Sequence, residues 1–205
     1  MNLLSFLLLY PLLLIAMSIH EFSHGWVAYK LGDMTAKYSG RLTLNPLAHI
    51  DPVGTLLLPI ILFITTSGQF VFGAAKPVPI DYRALRNPKK DIIWIGASGP
   101  LSNFIFAFIL SLFLRILPEG FLLTQLILNL LVINVLLAVF NLIPIPPLDG
   151  SRILMGLLPP RLSYRYASFE PYGFLILMLL FAVGALNLII TPILRFILGI
   201  LLIPV

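Results

Sequence analysis

The chain has 205 residues, of which 60% are apolar and 10% are charged, whereas a soluble domain is about half apolar and about a quarter charged, so the composition indicates a membrane protein. Its formal net charge of +5 comes from Lys and Arg in short connecting segments, where basic residues orient membrane proteins, and nucleic acid is not an expected partner. Because the chain contains no cysteine, disulfides, thiolate metal sites and a cysteine nucleophile are excluded.

Apolar runs recur along the whole chain and predict an all-α, multi-pass membrane protein that forms a single domain over residues 1–205. We expect about five to six membrane helices. The first run lacks the positively charged start of a signal peptide and continues through polar residues without a break, so we interpret it as a retained helix. Bounded by charged or Pro- and Gly-rich breaks, the predicted helices cover about residues 3–29, 53–66, 92–117, 121–143 and 172–194.

Three segments do not fit a simple series of spans. The run at 53–66 is short and lies between basic clusters at 30–41 and 76–90, which both favour the cytoplasmic side, so it can be re-entrant instead of spanning. Residues 69–80 combine β-favouring residues with glycine and two prolines, and predict a small β-hairpin or edge strand. The tail after Pro192 predicts a short interfacial helix.

A His-Glu-x-x-His pattern lies within the first predicted helix. Because residues four apart share a helical face, His20 and His24 can hold one Zn²⁺, while Glu21 lies beside the water that the metal activates and acts as general base. A chance match is improbable, since the chain has only three histidines. An ionisable group in an apolar membrane helix also costs at least about 2.5 to 3.5 kcal/mol, so such groups usually mark function.

A catalytic zinc site typically has three protein ligands and an open position, so a third ligand is needed. Asp149 is the best candidate, because the other acidic residues fall in polar connections or at helix ends. Three prolines before it exclude an unbroken helix and leave carbonyls unpaired, which a membrane tolerates only inside protein or beside water. The alternatives are a proline-rich turn with Asp149 as a helix cap, and His49 as ligand, although its polar surroundings favour a solvated or backbone-bonded histidine.

Together, these two motifs resemble those of the site-2 protease family of intramembrane zinc metalloproteases. Members carry HExxH on one transmembrane helix and an N-x-x-P-x-x-P-L-D-G-like motif on another, which here begins at Asn141 and contains Asp149. The resemblance implies that one zinc ion is bound by His20, His24 and Asp149. It also implies that Glu21 activates the water and that Asn141 helps hold the substrate carbonyl or the oxyanion.

Further segments are similar to the same family. They are residues 40–55, the FGAAKPVP stretch and the run from Gly99 to Asn103, which looks like the family's GxxxN element. Close helix packing through small residues is the simpler interpretation of that last element. The sequence resembles a compact form of the family without an inserted PDZ domain, so a regulatory module in the same chain is not expected.

The function implied is an intramembrane zinc-dependent endopeptidase that cleaves membrane-anchored protein substrates in or near the bilayer, as in regulated intramembrane proteolysis. A substrate helix must first be held locally extended, and an edge at 69–80 or at 40–46 could pair with it as an added strand. Basic residues after the first helix predict a plasma (inner) membrane protein whose active site opens to the cytoplasm. A membrane transporter or a catalytically inactive membrane scaffold with the same polar residues are the alternatives.

Overall fold

The computed structural model describes residues 3–68, 73–118 and 120–201. Within these ranges the protein is all-helical and contains no β-strand. A π-helical stretch, Pro52–Leu57, leads directly into the third α-helix. The α-helices of the described residues are α1 (Leu3–Leu31), α2 (Thr35–Tyr38), α3 (Leu58–Thr65), α4 (Pro88–Leu114), α5 (Leu122–Asn141), α6 (Asp149–Leu157), α7 (Pro160–Ala167), α8 (Gly173–Ala182) and α9 (Ala185–Ile200).

Three of these helices, α1, α4 and α5, are long and apolar enough to cross a membrane. A fourth candidate is the bent pair formed by residues 160–182 and α9, whose axes differ by 79°. The expectation of five to six membrane helices is therefore not supported within the described part of the chain. The run predicted at 172–194 is broken because Gly184 adopts a left-handed conformation with φ of 73°, which ends α8 and starts α9 in a new direction.

Two helices, α6 and α7, were not predicted from the sequence. They are short and amphipathic, and prolines and arginines interrupt the apolar pattern on which the prediction relied. The predicted interfacial tail is also different in the structure. Helix α9 begins before Pro192 and continues through it to Ile200, so the break lies at Gly184 and not at the proline.

The hairpin predicted for residues 69–80 is not supported. Residues 73–80 form an irregular segment that pairs with no strand, while 69–72 lie outside the described residues. The physical reason is visible in the sequence, since Pro77 and Pro79 have no N–H group to contribute to a ladder.

The segment from Pro52 to Thr65 runs toward the start of α1, and by Ala74 the chain has returned to Gly54. Its far end lies beside the start of α1, where the rings of Phe63 and Phe6 have centroids 4.9 Å apart. At its near end, the N–H of Ala74 donates to the Gly54 carbonyl at 3.0 Å, so the chain is back at its point of departure. This path favours the re-entrant alternative over a full span.

Helices α4 and α5 pack against each other and against α1. The α1–α4 contact includes small buried residues, Ala16 and Ala28 on α1 and Gly99 on α4. Small residues let helix backbones approach closely where lipid supplies no hydrophobic drive for association. The larger apolar core lies between α4, α5, α8 and α9, and includes Leu131, Val135, Val139, Leu177, Leu186 and Leu198.

Candidate metal centre

The structure brings together the three residues predicted as zinc ligands. Helix α1 presents His20 and His24 on the face that meets α4, and Asp149 is the first residue of α6. The Asp149 Oδ2 atom lies 2.9 Å from His20 Nε2 and 3.2 Å from His24 Nε2. The two Nε2 atoms are 3.1 Å apart. Within the described ranges, these residues are the one group of three His, Asp or Glu side chains arranged to hold a metal ion.

The far side of each imidazole ring is held by a hydrogen bond that fixes its tautomer. His24 Nδ1 lies 2.7 Å from the carbonyl of Ile95, which can only accept, so this nitrogen carries the proton. His20 Nδ1 lies 2.7 Å from the Asn103 Oδ1 atom, and the amide of Asn103 is oriented by its Nδ2 donating to the Ala16 carbonyl at 3.2 Å. Both Nε2 atoms therefore turn lone pairs toward Asp149.

This donor set fits a zinc ion. Three potential ligand atoms converge on one point, and the Asp149 Oδ2 atom is buried without an assigned hydrogen bond among the described residues. His20 is only 7% exposed and His24 only 6%, so bulk water does not solvate these polar atoms, and a bound cation would satisfy them. Tetrahedral zinc with bonds of about 2.0 to 2.1 Å separates its ligands by about 3.3 Å, close to the separations found here.

The absence of a side chain at Gly99 keeps the space beside the imidazoles open. A β-carbon at this position of α4 would lie 2.5 Å from His24 Nε2 and 2.7 Å from His20 Nε2. Both distances are below 3.0 Å, a separation that β-carbons in proteins essentially never show from a non-bonded atom. The GxxxN element thus has a role at the site in addition to close helix packing, because its glycine frees the space that a metal ion would occupy.

Asp149 reaches the site because the proline-containing segment before it is tightly packed. A β-carbon at Gly150 would lie 2.2 Å from the Leu142 carbonyl oxygen, and one at Gly173 would lie 2.0 Å from the Pro146 carbonyl oxygen. The hydroxyl of Tyr166 on α7 donates to the Pro144 carbonyl at 2.7 Å. Helices α6, α7 and α8 therefore hold the unwound segment, and the carbonyls of Ile143, Pro144 and Ile145 accept hydrogen bonds within the protein.

Glu21 is half-buried and its carboxylate is held by backbone. The N–H of Val78 donates to Glu21 Oε2 at 2.8 Å. The segment that carries Val78 is fixed in turn by Arg41, whose guanidinium donates to the Lys76 carbonyl at 2.6 Å. The irregular segment 73–80 therefore orients the predicted general base.

Two other predicted residues are not part of this cluster. The Asn141 side chain donates to the Leu137 carbonyl of its own helix at 2.9 Å. His49 is buried, and its Nε2 lies 2.8 Å from the Thr43 carbonyl. His49 is thus backbone-bonded and lies outside the metal-binding group, which agrees with the favoured interpretation of its polar surroundings.

The sequence reasoning missed the contribution of Asn103 and did not consider Asn134, to which Asn103 donates at 2.7 Å. Both amides are fully buried. A signal was available, because a polar side chain inside an otherwise apolar membrane helix is costly and usually functional. This signal from Asn103 was missed because the element from Gly99 to Asn103 was interpreted as a packing feature.

Comparison with known proteins gives concordant matches. The profile of peptidase family M50 matches residues 119–183, which include α5 and the Asp149 segment. YwhC of Bacillus subtilis, named as a zinc metalloprotease, is 37% identical over 193 residues, covering 89% of this chain and 84% of that protein. Rip2 of Mycolicibacterium smegmatis, also named as a zinc metalloprotease, is 33% identical over 85% of this chain and 66% of its own length.

A more distant relative is archaeal. The zinc metalloprotease MJ0392 of Methanocaldococcus jannaschii is 30% identical over 89% of this chain, which spans 44% of that protein. No solved structure matches. The names of these relatives give no support to a transporter.

Proposed function

The chain belongs to peptidase family M50, the site-2 proteases, and from this membership we propose that it cleaves membrane-anchored proteins in or near the bilayer, as in regulated intramembrane proteolysis. It is a membrane protein and a zinc metalloprotease. The observation that carries the proposal is the place of the metal centre, in which His20, His24 and Asp149 meet between apolar helices long enough to cross a membrane. A metal centre enclosed by such helices favours a substrate that is itself in the membrane.

In this proposal His20, His24 and Asp149 hold one zinc ion per chain. Zinc bound there supplies Lewis-acid chemistry for peptide hydrolysis. Glu21 removes a proton from the attacking water and returns it to the leaving nitrogen. The N–H of Val78 binds Oε2 of this carboxylate, which leaves Oε1 to receive the proton.

Asn141 is proposed to bind the substrate carbonyl or the oxyanion. An amide nitrogen carries two hydrogens, and the bond to Leu137 uses one of them. The second hydrogen is then available to an oxygen that gains negative charge as the water attacks.

The segment 73–80 supplies a backbone edge for an extended substrate. The N–H groups of Ala74, Lys76 and Val78 all donate to the protein, at 3.0, 2.9 and 2.8 Å. Because alternate residues of an extended chain face opposite sides, the N–H and C=O of Ala75 face away from these bonds. Neither group of Ala75 has a hydrogen-bond partner among the described residues. A substrate paired there runs alongside the residue that binds Glu21.

Replacing Ala75 by proline tests this edge. We expect Ala75→Pro to lower the rate of cleavage about 3- to 10-fold, the effect of losing one backbone hydrogen bond to the substrate, while zinc per chain is unchanged. The measurement is cleavage in proteoliposomes of a single-span fusion protein that the wild type cuts. Ala75→Ser is the matched control, because it alters the side chain but keeps the N–H. Equal rates for Ala75→Pro and the wild type would disprove pairing at this position.

We further propose that the protein is multi-pass in the plasma (inner) membrane and that the metal centre opens to the cytoplasm. Helices α1 and α4 are antiparallel, since Ala28 near the end of α1 packs with Leu85 and Ile95 around the start of α4. Basic residues are concentrated at this end of the bundle, and such clusters favour the cytoplasmic side. They are eleven of the 13 Lys and Arg residues: Lys30, Lys37, Arg41, Lys76, Arg83, Arg86, Lys89, Lys90, Arg152, Arg161 and Arg165.

Single cysteines test the orientation, because the chain has none of its own. We expect a membrane-impermeant maleimide to label Phe121→Cys, at the opposite end of the bundle, in intact cells. Ser39→Cys, which follows α2 at the basic end, should react only after the cells are opened. Both positions are exposed. The reverse labelling pattern would place the metal centre on the outer side.

A further inference from the structure

A chain of buried amides leads from the metal centre to helix α5. His20 Nδ1 lies 2.7 Å from Asn103 Oδ1, and Asn103 Nδ2 lies 2.7 Å from Asn134 Oδ1. Asn134 Nδ2 then donates to the Leu130 carbonyl at 2.8 Å. Both asparagines have no exposed surface. The chain thus joins α1, α4 and α5 at the level of the first predicted zinc ligand.

The direction of every bond in this chain is set by backbone. The Leu130 carbonyl can only accept, so Asn134 must turn its nitrogen toward it and its oxygen toward Asn103. Asn103 accordingly donates to Asn134 and to the Ala16 carbonyl. Its own oxygen is left to face His20, whose Nδ1 must carry the proton and whose Nε2 must offer a lone pair.

These bond directions disfavour the flipped orientation of the Asn103 side chain, in which its amide oxygen and nitrogen exchange places. If the Asn103 amide turned over, its oxygen would meet the Ala16 carbonyl and the Asn134 oxygen, and three acceptors would face one another in a buried site. The flipped amide would also present N–H groups to His20 Nδ1 and favour the tautomer with a proton on Nε2. That tautomer cannot bind a metal ion through Nε2, the nitrogen that faces Asp149. His24 needs no such device, because its Nδ1 is bound directly by the Ile95 carbonyl, which cannot turn over.

We propose that Asn134 is a positioning residue for zinc binding, which acts through Asn103 to hold His20 in the metal-binding tautomer and ring orientation. The inference rests on the proposed zinc ligation by His20. Burying two amides between helices costs desolvation free energy, whereas apolar residues of similar shape would pack there without that cost. A network whose bond directions are set by backbone carbonyls and that ends at a ligand histidine has a use that packing does not explain.

A double-mutant cycle on zinc affinity tests the relay. Each purified variant is titrated with zinc against a chelator, and folding is checked by size-exclusion elution. We expect Asn103→Leu and Asn134→Leu each to weaken zinc binding by about 10-fold or more, the usual effect of removing an outer hydrogen-bond partner of a ligand histidine. Because Asn134 acts through Asn103, the double variant should bind zinc no more weakly than Asn103→Leu alone.

Asn129→Leu is the matched control, since it removes an amide from the same helix whose side-chain partner among the described residues is Gln125, at 3.3 Å. It should keep the wild-type affinity. If Asn134→Leu does not elute as the wild type, Asn134→Ala removes the same amide without added bulk and replaces it in the cycle. Wild-type affinity in the Asn134 variant, additive effects, or an equal loss in Asn129→Leu would each overturn the relay. A folded wild type that binds no zinc would instead refute the metal site itself.

Discussion

Glu21→Gln should abolish peptide cleavage while the chain keeps its zinc. Glutamine has nearly the same shape and retains an oxygen for the Val78 N–H, which donates to Glu21 Oε2 at 2.8 Å, so the surrounding structure is preserved. It cannot accept a proton from water, and the loss of a positioned general base typically lowers the rate by about 10²- to 10⁴-fold. The measurement is cleavage of a single-span substrate in proteoliposomes, with zinc per chain determined by elemental analysis of the same samples.

The control for this variant is Glu170→Gln. Glu170 forms an ion pair with Arg152 at an exposed position and contacts none of the proposed ligands. We expect Glu170→Gln to cleave at about the wild-type rate. A Glu21→Gln variant that cleaves normally would show that another group is the base. A wild type that binds zinc but cleaves no substrate of any kind would favour the inactive scaffold.

The HExxH helix could be predicted because each of its features is local. Spacing of four residues places His20 and His24 on one helical face whatever the rest of the fold does. Asp149 could be predicted for a different reason, because prolines that unwind a membrane segment require a protein environment. Sequence alone did not show that Asp149 Oδ2 lies about 3 Å from both imidazoles, since this depends on the packing of α6 against α4.

The features that were missed depend on contacts between distant parts of the chain. The return of the chain to Gly54 after the helical segment 52–65 involves a backbone hydrogen bond from Ala74, twenty residues further along the chain. The β-favouring residues of 73–80 form no strand in the structure, because side chains such as Arg41 bind the backbone instead. The bonds to the far nitrogens of the two histidines come from α4, 71 and 83 positions along the chain. Periodicity and composition contain no information on such pairings.

The tautomers of the two histidines also explain why Asp149 matters for metal binding. With Nδ1 protonated on both rings, His20 and His24 offer two neutral ligands and no charge, so the carboxylate provides the only negative charge that the described ligand set offers to a divalent ion. Two imidazoles four residues apart on one helix can still bind zinc weakly. A third ligand on a separate helix encloses the metal ion and links α6 to α1 through it.

We therefore expect Asp149→Ala and His24→Ala each to reduce bound zinc from about one ion per chain to a small fraction, because each variant lacks one of the three protein ligands. The measurement is elemental analysis of detergent-purified protein after metal loading and removal of excess zinc. His49→Ala is the matched control, since it removes the third histidine of the chain, whose ring is bound to the Thr43 carbonyl. Full zinc content in folded Asp149→Ala, or loss of zinc in folded His49→Ala, would require a different third ligand. Loss in the first two variants with retention in the control would identify α1 and α6 as the two elements that hold the metal.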